Sequence, residues 1–334
     1  LPDALPEEIR TRRRLPPLGT AITRYHRPTN ATDVTIARRR LAYDELLLSQ
    51  LAVQLARRMR MERASASPVP VDERLDQRIR KRIPFTLTKG QERAISEIRA
   101  DLARAVPMNR LLQGDVGCGK TAVAVYAALA AIARGHQVAL LAPTEVLARQ
   151  HAGKIAQYLK GSRVRTAFLS GASATAERAE TMSALQKGDI SLLIGTHAVL
   201  EKGVQFADLG LAIIDEQQKF GVSQRFAMRA KAKSPHVLVL SATPIPRTLA
   251  MTLLGDLDIS TIDGLPPGRK PVRTRMVGPE EVEKVWKFVR SRLDRGEQAY
   301  IVYPLVEESE NVDLRAATTE MEVLRRSHFA GLEV

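Results

Sequence analysis

Gly114-Asp115-Val116-Gly117-Cys118-Gly119-Lys120-Thr121 is the stretch on which the reading of this 334-residue chain turns. It fits the pattern G-x-x-x-x-G-K-T. An apolar run, Arg110–Gln113, precedes it and an alanine-rich helical pattern, Ala122–Ala133, follows it. A glycine-rich turn between strand and helix is the context in which that pattern carries a mechanism. Gly114, Gly117 and Gly119 let the backbone curl so that successive N–H groups face phosphate oxygens, and the helix N-terminus adds a favourable dipole. Lys120 is then expected to contact the β- and γ-phosphates and Thr121 to ligate Mg²⁺. The implied cofactors are ATP and Mg²⁺.

Working outward, apolar runs recur at Val138–Ala142, Thr166–Leu169, Ser191–Gly195, Leu211–Asp215 and Val237–Ser241, with helical patterns between several of them. Continuously apolar strands alternating with helices predict an α/β domain whose parallel sheet is covered on both faces. Gly135 is placed to end the helix that follows the glycine-rich turn. Leu211-Ala-Ile-Ile-Asp215-Glu216 runs an apolar strand into two carboxylates. Asp215 is expected to hold Mg²⁺ through its water shell and Glu216 to polarise an attacking water, a pairing that indicates hydrolysis.

The flanks read differently. Residues 1–32 are rich in Pro, Arg and Thr and are expected to be extended. A helix is predicted over Asp33–Arg63, with Leu41, Leu48, Leu51, Leu55 and Met59 as its packing face. Residues 64–84 read as a small-residue linker and a short basic amphipathic helix. The stretch Leu265–Pro271 reads as an interdomain linker. A basic strand near 272–277, a helix near Glu280–Arg292 and an apolar strand over Ala299–Val306 suggest the opening of a second α/β unit. The expected division is therefore 1–84, 85–265 and 266–334. The start at Leu1, without an initiator Met or a leader, suggests a piece of a longer protein.

Composition bounds the partners. A net charge of +14 and a pI near 10.2 favour polyanions, whereas 4% aromatic residues argue against single-strand stacking platforms. A single Cys excludes an internal disulfide and fits a cytoplasmic setting, and no apolar run is long enough for a membrane span. Cys118 reads as small filler. Trp286 reads as core beside Val282, Val285 and Val289, and Arg78–Arg82 as a solvated face. His26, His136 and His236 lack metal-ligand spacing.

Four further segments specify the kind of protein. They are Phe85-Thr-Leu-Thr-Lys-Gly-Gln91, Ala142-Pro-Thr144-Glu-Val-Leu-Ala-Arg-Gln-His151, Gly195-Thr196-His197 and Ser241-Ala-Thr243-Pro-Ile-Pro-Arg247. In this order they resemble the motifs of superfamily 2 helicases. The segments Asp215–Val222 and Pro244–Ala250, with Ala37-Arg-Arg-Arg-Leu41-Ala-Tyr43-Asp-Glu45-Leu upstream, closely resemble the RecG family of branch-migration DNA helicases. The resemblance covers nearly the whole chain.

It implies a RecA-like P-loop domain, preceded by a helical linker segment and followed by the start of a second RecA-like lobe. The implied activity is an ATP-dependent motor on double-stranded and branched DNA, remodelling stalled forks and Holliday junctions in recombination and repair. A monomer in the bacterial cytoplasm, at the nucleoid, is expected. Carried over residue by residue, Gln91 would read the adenine edge. Thr144, Arg149 and Thr196 would contact the DNA sugar-phosphate backbone, and Ser241 and Thr243 would couple the γ-phosphate to DNA grip. Gln218, a further coupling position, stands where the family commonly has His and resembles the transcription-repair coupling motor, the nearest alternative. The family's wedge domain has no counterpart here. Its second lobe supplies an arginine finger, worth roughly 10³–10⁵ in rate in related enzymes; since that lobe stops soon after Val306, weak hydrolysis is expected of this chain. A non-catalytic ATP-switched DNA-binding module, or a nucleic-acid tether with a relic P-loop, are the other classes.

Overall fold

The computed structural model describes residues 2–63, 65–201, 203–215, 234–242, 257–264, 272–302 and 321–332. Glu216, Gln218 and Thr243, all singled out above, lie outside these residues. The chain divides into two compact units, Leu1–Arg269 and Lys270–Val334.

A seven-stranded sheet forms the centre of the first unit. Its strands are β1 (Asn109–Gln113), β2 (Gln137–Leu141), β3 (Thr166–Leu169), β4 (Leu192–Gly195), β5 (Leu209–Asp215), β6 (His236–Ser241) and β7 (Asp258–Thr261). The spatial order is β3-β4-β2-β5-β6-β1-β7, and every pairing is parallel. Side chains alternate across the sheet. Leu211 and Ile213 of β5 enter one core, with Leu238 and Leu240 of β6. Ala212 and Ile214 enter the other, with Val237 and Val239. Two apolar faces are why these strands read as unbroken hydrophobic runs.

Helices α1 (Glu7–Arg13), α2 (Leu18–His26), α3 (Ala31–Arg63), α4 (Glu73–Arg80), α5 (Lys89–Leu102), α6 (Lys120–Ala133), α7 (Glu145–Tyr158) and α8 (Thr175–Gln186) complete this unit. Helix α6 is alanine-rich and buried along most of its length, so it packs close to the sheet. It ends where expected, with Gly135 at φ +89°.

Two expectations about the flanks need correction, and one strand was missed. Residues 1–32 are not extended, because α1 and α2 occupy much of them. Pro6 and Pro17 stand at the N-caps of these helices, so prolines that read as breakers are helix starts. The apolar stripe of α3 is not a packing face either. Leu48 is 68% exposed and Leu55 59%, with Leu51 and Met59 also exposed. What anchors α3 is instead its first half, through buried Ala37 and Arg40. Arg40 Nε donates to Pro16 O at 2.9 Å and Nη2 reaches Asp3 at 2.6 Å. Finally, β7 was not anticipated. Its four residues, Asp-Ile-Ser-Thr, offer one large apolar side chain, and the strand is held by pairing with β1 and by Arg110, which donates to Ser260 Oγ at 2.9 Å.

The linker before the sheet is fastened to it. Ala66 and Val69 donate backbone hydrogen bonds to Ala105 and Leu102. Asp76 of α4 is buried and receives Tyr126 Oη from α6, Arg80 Nε at 2.5 Å and Arg99 Nη1 at 3.2 Å from α5. Burial pushes this carboxyl upward, but the bonds from Tyr126 and Arg80 and the nearby guanidinium charges outweigh it and leave it below its usual range.

The second unit contains α9 (Val282–Leu293), led by a short 3-10 turn at Pro279–Glu281, and a helical stretch at 321–327. Trp286 is half-buried and meets the ring of buried Phe329 edge-on at 5.9 Å. The strand expected at 272–277 is absent, and 299–302 are likewise not a strand; residues 303–306 lie outside the described residues. A strand exists only where a neighbour completes its ladder, and the described residues of this unit offer none.

Candidate functional site

In an open parallel sheet, ligands gather beyond the carboxyl ends of the strands. Gln113, the last residue of β1, pairs with Ser241 of β6, and Asp215, the last of β5, pairs with Leu240 of β6. The glycine-rich turn and Asp215 therefore share one edge. They stand two strand spacings apart, about 10 Å. Between them, the Ser241 carbonyl accepts the N–H of Gly114 at 3.2 Å, stitching the loop to β6.

The turn itself has the conformation that its glycines allow. Gly117 and Gly119 hold φ of +81° and +88°. Gly119 is the N-cap of α6, and no side chain caps that helix end. Lys120 Nζ donates to the carbonyls of Gly114 at 2.5 Å and Asp115 at 3.0 Å, so the ammonium is already folded over the loop. Thr121 is half-buried in the first turn of α6. Uncapped helix start, curled glycines and a tethered ammonium fit a phosphate group with its cation. Cys118 is buried, and burial pushes its thiol up, away from thiolate reactivity.

Gln91 sits behind this loop, 1% exposed. It forms a capping box at the start of α5. Thr88 N–H donates to Gln91 Oε1 at 2.8 Å, and Gln91 N–H donates back to Thr88 Oγ1 at 3.3 Å. Its Nε2 donates to Cys118 O at 2.8 Å. The amide thus ties α5 to the glycine-rich turn, and these bonds use one of its two N–H groups and one of its two lone pairs.

Thr144 is exposed at the N-cap of α7, its hydroxyl accepting Leu147 N–H at 3.4 Å. Arg149, one turn on, is exposed, pinned by Glu145 at 2.7 and 2.9 Å and stacked 4.6 Å above the Phe168 ring. Both are exposed. Thr196 is not: it is 4% exposed and its hydroxyl is buried without a partner. The turn after β4 is drawn inward. A Cβ on Gly195 would lie 2.0 Å from Leu169 O, so the chain there runs against β3. Ser241 is buried at the end of β6.

One side chain at the site was quoted above but given no role. His151 Nε2 lies 2.6 Å from Asp215 Oδ2, and both residues are 9% exposed. The signal was a polar residue within the buried stripe Ala148, His151, Ile155 of α7.

The comparisons with known proteins agree with this geometry. A family model for DEAD/DEAH box helicases matches residues 88–252. The parallel sheet with its helices matches the form of a RecA-like helicase lobe. Over its whole length the chain is similar to part of the RecG helicases. It is 44% identical to the ATP-dependent DNA helicase RecG of Synechocystis sp., matching 100% of this chain and 40% of that protein. With RecG of Bacillus subtilis the identity is 43%, over 95% and 46% of the two chains. A solved structure of RecG bound to a three-way DNA junction superposes with a TM-score of 0.82 at 41% identity, covering 98% of this chain and 43% of that one. The chain thus spans under half the length of these relatives. Among the described residues, no helix is long and apolar enough to cross a membrane.

Proposed function

We propose that this chain is the nucleotide-binding part of an ATP-dependent motor on double-stranded DNA that remodels branched DNA, as in recombination and repair. One observation carries the reading. The glycine-rich turn on β1 and the Asp215 carboxylate on β5 face the same sheet edge, with Ser241 of β6 between them. The relatives' names and the junction-bound RecG structure support the choice of substrate.

Lys120 and the loop amides hold the β- and γ-phosphates, and Thr121 and Asp215 hold Mg²⁺, which when bound offsets phosphate charge. Glu216 orients the attacking water. Gln91 reads adenine with its second N–H and second lone pair once the buried amide is uncovered, and Thr144 and Arg149 grip the DNA backbone. Thr196 joins them if its turn opens toward DNA. Ser241, Thr243 and Gln218 pass the state of the γ-phosphate to that grip. We assign residues 85–265 to the first motor lobe, 1–84 to its linker and 266–334 to the start of a second lobe, in a monomeric protein of the bacterial cytoplasm.

An arginine finger from a complete second lobe would supply most of the rate, so this chain alone turns ATP over weakly. The test is ATP turnover, with and without branched duplex DNA, in this chain and in a protein that includes a complete second lobe. Strong DNA-stimulated turnover is expected only in the longer protein, and Glu216→Gln there should abolish it. Full turnover by this chain alone would contradict the dependence on a second lobe, and turnover unaffected by Glu216→Gln would contradict the hydrolytic role. Gln218 keeps a transcription-repair coupling motor as a second reading; preference for duplex over branched DNA as the stimulating ligand would favour it.

A further inference from the structure

His151 breaks a pattern that the rest of α7 keeps. The helix turns Ala148 and Ile155 into the core, and a third apolar residue between them would complete the stripe. The chain instead places an imidazole there, 9% exposed, with its Nδ1 buried and, among the described residues, unpartnered. A buried polar atom without a partner is a standing cost that an apolar residue would not carry. Packing alone therefore does not account for His151.

Its other nitrogen does. Nε2 lies 2.6 Å from Asp215 Oδ2, and an ionised carboxylate can only accept, so Nε2–H donates. The bond fixes one oxygen of Asp215 and leaves Oδ1 as the one turned to other work. His151 also lies seven residues beyond Thr144, two helical turns or about 10 Å along a rigid rod. The start of that rod presents Thr144 and Arg149 at the surface. One helix thus carries surface groups suited to a phosphodiester at its first turns and a direct bond to the Asp215 carboxylate at its middle.

We propose that His151 is a positioning residue that aims the Asp215 carboxylate and passes displacement of the DNA-facing start of α7 to the cation site. The proposal rests on the reading of 114–121 and Asp215 as a nucleotide and Mg²⁺ site, and it adds a connection between that site and DNA. Bonds from outer groups to ligating carboxylates tune metal affinity by about 10–100-fold in other proteins. The orphaned Nδ1 fits a side chain kept for its reach toward Asp215.

The experiment titrates Mg²⁺ against binding of the fluorescent methylanthraniloyl derivative of ATP, with and without duplex DNA. It uses the 334-residue chain and its His151→Gln, His151→Asn and His151→Leu variants. A glutamine amide reaches about as far as Nε2, whereas an asparagine amide reaches only about as far as Nδ1. The Asn and Leu variants are expected to need roughly 10-fold more Mg²⁺ for half-maximal binding, and to lose the shift that DNA produces in the parent chain. His151→Gln should restore both. If the Leu variant does not fold, the Asn and Gln pair decides alone. Parent-like Mg²⁺ and DNA responses in the Asn variant would overturn the proposal while leaving the nucleotide site standing. Binding in the parent chain that ignores Lys120→Ala would overturn both.

Discussion

A Cβ placed on Gly119 would lie 2.2 Å from Nε2 of Gln91. The glycine also holds φ +88°, where an L side chain is strained. Gly119→Ala should therefore push the Gln91 amide off Cys118 O and distort the loop. We expect a loss of about 1–3 kcal/mol in stability, read by urea unfolding, together with loss of nucleotide binding. A variant that binds ATP as the parent does would show that neither contact shapes the phosphate seat.

Asp76 joins α4 to α5 and α6 through Tyr126, Arg80 and Arg99. Asp76→Ala leaves a buried tyrosine hydroxyl without its acceptor and takes one acceptor each from Arg80 and Arg99, which keep Glu92 and Val71 O. Such a loss costs about 3–5 kcal/mol when all partners are buried. Here the low end is expected, because the Arg80 and Arg99 side chains are 32% and 30% exposed. Unfolding by urea should show it; a change under about 1 kcal/mol would mean that solvent replaces the network freely.

His236 should make the fold acid-sensitive. Met108 N–H donates to its Nδ1 at 3.0 Å, and its Nε2–H donates to Ser67 O at 3.1 Å, so only the neutral ring satisfies both. Burial pushes its pKa below the ordinary 6.5, despite the raising effect of Ser67. The unfolded chain then binds the proton more readily than the folded one. The stabilising contribution is complete above pH 6.5 and falls away as pH drops below it. Melting temperature is expected to fall between pH 7.5 and 5.5, and the fall should be smaller in His236→Gln. An equal fall in both would assign the acid sensitivity to other groups.

Much of this molecule was legible because its physics is local. Five of the seven strands are buried along their whole length, and the glycine spacing of 114–121 fixes a turn regardless of what surrounds it. What escaped depends on partners distant in sequence. β7 is polar and becomes a strand only beside β1. The bond between His151 and Asp215 joins residues 64 apart, and the amide of Gln91 serves a loop 27 residues on. The stripe on α3 misled for the same reason: periodicity marks an apolar face, but nothing local says whether another surface covers it.

The central claim is that the turn at 114–121 seats a triphosphate, with its cation turned toward Asp215. Isothermal titration of this chain with ATP and Mg²⁺ tests it most directly, run beside Lys120→Ala and Asp215→Ala. The expected result is one saturable site, lost in the Lys120 variant at unchanged melting temperature, and independent of Mg²⁺ in the Asp215 variant. ATP affinity that survives Lys120→Ala would contradict the account.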